Sequence, residues 1–402
     1  MTGRTGAGAA SAGGGTPVGA LLERASVVVC CGAGGVGKTT TAAALGVAAA
    51  ERGRRVCVVT VDPARRLADA LGGSGVGNEP RRIPGPWPGT LSAVMLDARG
   101  TFDELVRREA KDPVQAERIL SNRLYRNLVS ALSGTQEYMA TEKLFELHED
   151  PAFDLVVVDT PPTRNALDFL DAPRRLTGFL DNRVFRLVVS PGRAYLRAVS
   201  MASQVLLRTI AKVAGSEIVD DAVAFFQAFE GMEAGFRSRA AKVEQLLAED
   251  ATGFVVVAAP RRDSVAEASF FAERLAEGHH DLDVVVVNRV LPRFDLTPSA
   301  WPAGEWSAEE DAEGARPGGG GEAAGPEALA ALEANLEQLA RLAASEAALV
   351  DELTERLAPA PVQRVPYLGL DVHDLDTLAI LARQLAPADG LASGHGEDRP
   401  GE

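Results

Sequence analysis

Six short apolar runs punctuate the chain, and helical patterns separate them. The first, SVVVCC at 26–31, is uninterrupted, β-branched and closed by glycine, which fits a strand buried on both faces of a parallel sheet. RVCVVTVD at 55–62, FDLVVVDTPP at 153–162, GFVVVAAP at 253–260 and DLDVVVVNRV at 281–290 repeat the pattern, and VQRVPYLGLD at 362–371 offers a sixth run. Strands alternating with helices predict βαβ units, and hence an α/β fold of three layers around a mainly parallel sheet. Ligands of such a sheet sit at the carboxyl ends of its strands.

The remaining segments divide the chain further. A nucleotide-binding core is expected over 21–98, 150–172, 251–294 and 327–385, with a helical subdomain inserted from 99–149 and 173–250. Residues 1–20, rich in Gly, Ala and Ser, and 386–402, acidic, read as tails without a packing signal, and 295–326 as a flexible acidic, glycine-rich loop. Within the second helical stretch, Phe225, Phe229, Met232 and Phe236 recur at i, i+4, i+7 and i+11. Such a stripe either packs its own subdomain or lines a groove for an apolar client. In the first stretch Lys143 lies among acids, as part of a charge network on a helix or as a contact to the nucleotide switches.

Composition narrows the function. A chain of 402 residues with 46% hydrophobic content can bury a large core. The net charge of −15 disfavours nucleic acid or an anionic membrane surface as a direct partner. No run approaches the roughly 20 apolar residues that span a bilayer. The first twenty residues lack the apolar stretch of a signal peptide, so a cytoplasmic protein without membrane insertion is expected. Cys30, Cys31 and Cys57 all fall in apolar strands, as suits buried thiols. Only five of the 41 basic residues are lysine, so each retained lysine invites a chemical explanation.

One of those five, Lys38, stands in CCGAGGVGKTTTAAALG. Gly32, Gly37, Lys38 and Thr39 satisfy the phosphate-loop pattern between a strand and a helix. The backbone of Gly32, Gly34, Gly35, Val36 and Gly37 would wrap phosphates at a positive helix terminus. Lys38 is expected to neutralise the β- and γ-phosphates, Thr39 to ligate Mg²⁺ and Thr40 to touch the α-phosphate. Asp159, closing an apolar strand, is the expected second holder of Mg²⁺, in preference to a turn former. Asp62 also follows a strand. Spacing alone leaves it as either a water-activating carboxylate or the N-cap of the segment that begins at Pro63.

These motifs together resemble a family. GAGGVGKTTTAAALG, VTVDPARRLADALG and VVVDTPPTRNALDFLDAP are similar to the deviant phosphate loop, first switch and second switch of ArsA-type ATPases, which include the arsenite-pump ATPase and the targeting ATPase for tail-anchored membrane proteins. VVVNRV resembles that family's adenine-contacting strand and VPYLGLDVHDLDTLAIL its C-terminal proline element. The resemblance, from about residue 21 to 385, implies ATP with Mg²⁺, a P-loop NTPase fold and a nucleotide-switched dimer that hydrolyses ATP. It implies further that Asp62 activates water, Asp159 serves the metal, and Asn288 and Pro366 hold the adenine.

One departure matters. Where the family carries a lysine that crosses the dimer interface to the other subunit's nucleotide, this chain has Ala33. The expected assembly is therefore a heterodimer with a lysine-bearing paralogue, or else a self-dimer in which Arg65 or Arg164 substitutes. Its output would be transport or cargo handling, with a hydrophobic client or a membrane transporter as partner. Alternatives are a regulatory nucleotide-binding subunit with little turnover, or a positioning ATPase of the MinD or plasmid-partition kind. The cysteines of metalloid-triggered members and the paired C-x-x-C of the targeting factor are absent after Cys57.

Overall fold

The computed structural model describes residues 15–61, 67, 71, 77–123, 125–126, 135–161, 168–181, 221, 224–225, 227–293 and 326–387. In chain order these form α1 (Pro17–Arg24), β1 (Val27–Gly32), α2 (Lys38–Glu51), β2 (Arg55–Thr60), β3 (Arg81–Ile83), β4 (Thr90–Met95), α3 (Ala98–Glu109), α4 (Pro113–Leu120), α5 (Thr135–Glu149) and β5 (Leu155–Asp159). Then follow α6 (Asp168–Leu180), α7 (Glu233–Ala248), β6 (Thr252–Ala258), α8 (Arg262–Glu277), β7 (Val284–Val290), α9 (Pro326–Arg356), β8 (Val362–Pro366) and α10 (Leu375–Leu385). Among the described residues one sheet of eight strands runs β3-β4-β2-β5-β1-β6-β7-β8. Every pairing is parallel except β3 with β4. The expected three-layer α/β fold is what the chain adopts.

The uninterrupted apolar runs are the central strands, and every residue of β1, β5 and β6 is buried. Alternate side chains of each strand feed two cores, because successive residues face opposite sides of a sheet. Val28, Cys30, Val56, Val58, Val157 and Val255 pack with α1, α2 and α10. Val29, Cys31, Cys57, Val59, Val158 and Val256 pack with α5, α7, α8 and α9. Alanine-rich α2 lies so close to the sheet that a Cβ on Gly46 would come within 2.5 Å of Val58 Cγ2. Small residues are what such an approach requires.

The helical layer has its own core of Leu105, Val106, Ile119, Tyr125, Tyr138, Met139 and the Phe225, Phe229, Met232, Phe236 stripe. All four stripe residues are buried, which places the stripe in subdomain packing rather than in an open groove. Its continuous helical spacing is broken at Gly231, whose φ of 85° ends one helical segment just before α7 begins. α5 joins the layers: Tyr138 and Met139 face the helical core, while Ala140, Leu144 and Leu147 face the sheet. Lys143 on this helix is fully buried, with Nζ 3.0 Å from Glu146 Oε1 and 4.0 Å from Glu104 Oε2. Beside it, buried Glu142 accepts from Arg239 Nε at 2.5 Å and from Arg108 Nη1 at 3.4 Å. The charge network therefore links α3, α5 and α7 rather than lying along one helix.

Several boundaries differ from the sequence reading. The N-terminal tail gives way to structure at Pro17, because Thr16 caps α1 by accepting from Gly19 N at 3.1 Å and donates its own hydroxyl to Leu385 O at 2.7 Å. A Gly/Ala-rich average hides this capped turn with its buried Val18, Leu21 and Leu22. At the other end Ala386 is buried, and Arg52 Nη2 donates to Pro387 O at 2.7 Å. Among the described residues the first long helical stretch carries α3, α4 and α5, with Asp97 capping the start of α3 and Asp112 that of α4. β3 and β4 were not expected, since the flanks of TLSAVM are crowded with Pro and Gly. β3 is an edge strand of three residues bearing exposed Arg81 and Arg82, a common guard against edge pairing. The strand expected at 362–371 stops at Pro366. The loop expected over 295–326 lies outside the described residues, apart from Pro326, which opens α9. Among the described residues no helix is long and apolar enough to cross a membrane.

Candidate functional site at the end of the central strand

β1 lies between β5 and β6: the chain runs from β1 to β2 on one side, returns to β5 and then crosses to β6 on the other side. That is the topological position where α/β sheets open a crevice. β1 ends at Gly32, where a Cβ would stand 2.3 Å from Val257 O of β6. Only glycine lets the two backbones run this close. Gly37 then opens α2 from a left-handed conformation, φ 91°, and carries no side-chain cap. A Cβ at Gly37 would meet Asn288 Nδ2 at 2.3 Å.

The first intrahelical bond of α2 runs from Thr41 N to Gly37 O at 2.8 Å. The preceding amides of Lys38, Thr39 and Thr40 have no partner within the helix, and the helix dipole adds positive potential at the same point. Gly34 and Gly35 are exposed at the loop's tip, whereas Val36 is buried and its carbonyl accepts from Asn288 Nδ2 at 3.0 Å. Ala33 is half-buried and packs against the core. Such amide donors suit an anion, and the loop that leads to them is pinned to β7 through Asn288.

Asp159 sits fully buried at the end of β5, in register with Cys30 of β1 and Thr60 of β2. Its Oδ1 accepts from Lys38 Nζ at 3.0 Å, and its Oδ2 from both Thr39 Oγ1 and Thr60 Oγ1 at 2.8 Å. Lys38 also donates to Thr160 O, while Thr160 Oγ1 donates to Cys30 O at 2.8 Å. Lys38 is 4% exposed, so the pair is shielded from water and its attraction is correspondingly large. Burial, with the Asp159 charge behind it, pushes the Cys30 thiol well above its ordinary range, and burial takes Cys31 up to about 12. Both thiols stay protonated and inert.

Thr60 was not singled out by sequence reasoning. Its signal was available: a hydroxyl closing a strand otherwise apolar from Val56 on, two residues before Asp62. Asp62 itself, with Arg65 and Arg164, lies outside the described residues.

A cleft of about 610 Å³ continues from the loop along the ends of β7 and β8, lined by Gly37, Thr40, Asn288, Pro366, Tyr367 and Leu370 among others. Asn288 is buried to 7% exposure and Pro366 closes β8. The structure thus gathers Gly37, Thr40, Asn288 and Pro366 around one cleft, and separately joins Lys38 and Thr39, from the start of α2, to Asp159. The donor set suits an anionic ligand carrying a hard cation: bare helix amides and a lysine for phosphate, hydroxyl and carboxylate oxygens for magnesium.

Comparison with known proteins agrees with this arrangement. The family model described as anion-transporting ATPase matches residues 25–301. The chain is 28% identical over 251 residues to ATPase get3 of Sclerotinia sclerotiorum, covering 62% of this chain and 67% of that protein. It is 28% identical over 270 residues to an ATPase ASNA1 homolog of Entamoeba histolytica, 63% of this chain and 72% of that one. A putative arsenical pump-driving ATPase of Halobacterium salinarum is 32% identical over 143 residues, 34% of this chain and 22% of its own length. With a phosphate loop, a buried acid and a nucleotide-sized cleft at one strand end, and a family model spanning more than half the sequence, the chain belongs to the anion-transporting, ArsA-type ATPase family and is an ATPase.

Proposed function

We propose that the chain binds Mg-ATP across the cleft and hydrolyses it as one subunit of a nucleotide-switched dimer, coupling turnover to cargo handling or transport. The observation that carries this reading is the convergence of Lys38, Thr39 and Thr60 on Asp159 beneath the uncapped start of α2. The loop amides and Lys38 would bind the phosphates, with Thr40 towards the α-phosphate and Asn288 and Pro366 at the adenine. Thr39 and Asp159 would hold magnesium, which when bound supplies positive charge shared by the β- and γ-phosphates. Asp62 would take the proton of the water whose oxygen attacks the γ-phosphorus as the bond to ADP breaks.

Lys38 has two roles on this account. Before nucleotide arrives it neutralises Asp159, and on binding it turns to the phosphates, leaving the carboxylate for the cation. Ala33 offers a methyl where a second cation would serve the neighbouring subunit. We infer a partner chain that supplies that lysine, and a client or transporter served by the helical layer.

The test is phosphate release by the purified chain at saturating Mg-ATP, with Asp62→Asn as background and Ala33→Lys alongside. Low wild-type turnover that Ala33→Lys raises tenfold or more supports a cation lent by another subunit. Full turnover by a stable wild-type homodimer contradicts the heterodimer. A wild type indistinguishable from Asp62→Asn, with Ala33→Lys equally silent, would favour a regulatory nucleotide-binding subunit.

A further inference from the structure

Arg289 follows Asn288 on β7 and holds φ at 61°, one of two positive-φ residues other than glycine among those described. The β7–β8 register is irregular at this point, shifting between Val287 and Val290. Irregularities of this kind re-aim a side chain beside a site. A left-handed arginine persists only where its surroundings determine it, and such positions concentrate at ligand clamps. Arg289 is exposed and lines the same cleft as Asn288, Pro366 and Tyr367. Among the described residues it has no hydrogen bond or ion pair, in contrast to Arg52, Arg54, Arg55 and Arg274, which all have acceptors. Among the described residues it is a cation of the cleft without an acceptor.

We propose that Arg289 is a further nucleotide-binding residue, its guanidinium lying against the purine. This rests on the nucleotide reading of the cleft. The residue's neighbours set the end of the nucleotide it serves: Val290 pairs with Pro366, and Tyr367 N donates to Val290 O at 2.8 Å. Arg289 therefore shares a wall with Asn288 and Pro366, the proposed base-binding positions, in a cleft that Gly37 and Thr40 at the start of α2 also line. A guanidinium over an aromatic ring is attracted through the ring's face, and it acts on the base whatever the number of phosphates.

Glycine is the decisive substitution, because it removes the side chain and relieves the left-handed backbone together. Calorimetric titration of ATP and of ADP into wild type, Arg289→Gly and Arg289→Lys, with thermal melts of each, forms the test. The expected result is a loss of about fivefold for Arg289→Gly, equal for the two nucleotides, with a melting temperature unchanged or raised and a smaller loss for Arg289→Lys. Unaltered affinity in Arg289→Gly overturns the proposal while leaving the nucleotide site intact. A loss much larger for ATP than for ADP overturns the purine assignment in favour of phosphate. If wild type binds neither nucleotide, the reading of the cleft fails first.

Discussion

Among the described residues two lysines are buried, Lys38 and Lys143, and both face carboxylates, yet they sit in different kinds of place. Lys38 meets Asp159 at the mouth of a glycine loop, beside helix amides without intrahelical partners and a cleft of about 610 Å³. Lys143 meets Glu146 and Glu104 between helices, with the buried carboxylate of Glu142 next along the chain bound by two arginines. Burial and ion pairing alone do not make a site. What separates the two is the surplus of donors: around Lys38 the backbone offers more positive potential than the protein uses, whereas around Lys143 charges of both signs already meet. The first arrangement has the donors an anion would use, and the second links α3, α5 and α7.

Substitution at the two lysines should therefore diverge. Lys38→Met is expected to cut phosphate release by about a hundredfold or more, the scale seen when one charge-stabilising donor is removed from a transferring group. Lys143→Met should leave turnover within about threefold of wild type. It should lose up to about 3 kcal/mol of stability, because one partner of a buried pair is removed while Glu146 and Glu104, each about a third exposed, can turn to water. A large activity loss in Lys143→Met would break the distinction and revive a signalling role for that helix.

Thr60 sharpens the same contrast on a smaller scale. Its hydroxyl shares Asp159 Oδ2 with Thr39, so Thr60→Val should raise the magnesium concentration for half-maximal turnover by about three- to tenfold, the equivalent of one hydrogen bond to a charged group. Thr60→Ser should restore it. A fall in maximal rate with unchanged magnesium dependence would mean that the hydroxyl does not orient the carboxylate.

The smallest effect concerns Glu142. Burial raises its carboxyl above the ordinary value of 4.5, with Arg239 and Arg108 opposing the rise. A raised folded-state value contributes stability below the unfolded value and loses it as pH climbs. Glu142→Gln should therefore gain stability relative to wild type as pH moves from about 4 to 7, as paired thermal melts would show. A relative loss over that range would mean that the arginines outweigh burial.

Much of this was legible in the sequence. Uninterrupted valine runs can be buried only between two helical layers, so the central sheet followed directly, and the glycine turn between β1 and α2 was marked by a strand, its glycines and a rare lysine. β4 was obscured because TLSAVM lies among prolines and glycines that dominate any local pattern. α1 was obscured because its stability comes from Thr16 and from distant Leu385, a contact 369 residues away in sequence. Thr60 and Arg289 escaped notice for a related reason. Their roles depend on strand register and on a local irregularity between β7 and β8, and neither leaves a periodic trace. The aromatic stripe was read with both outcomes open, and only packing against Tyr125 and Leu105 resolves it.

The most direct test is the shift in melting temperature caused by Mg-ATP in wild type, Lys38→Met and Lys143→Met, measured side by side. Binding to the folded state stabilises it by about 2.7 kcal/mol at a hundredfold excess over the dissociation constant. A clear and equal upward shift is expected for wild type and Lys143→Met and almost none for Lys38→Met. A full shift in Lys38→Met, or its loss in Lys143→Met, would contradict the distinction between the two lysines.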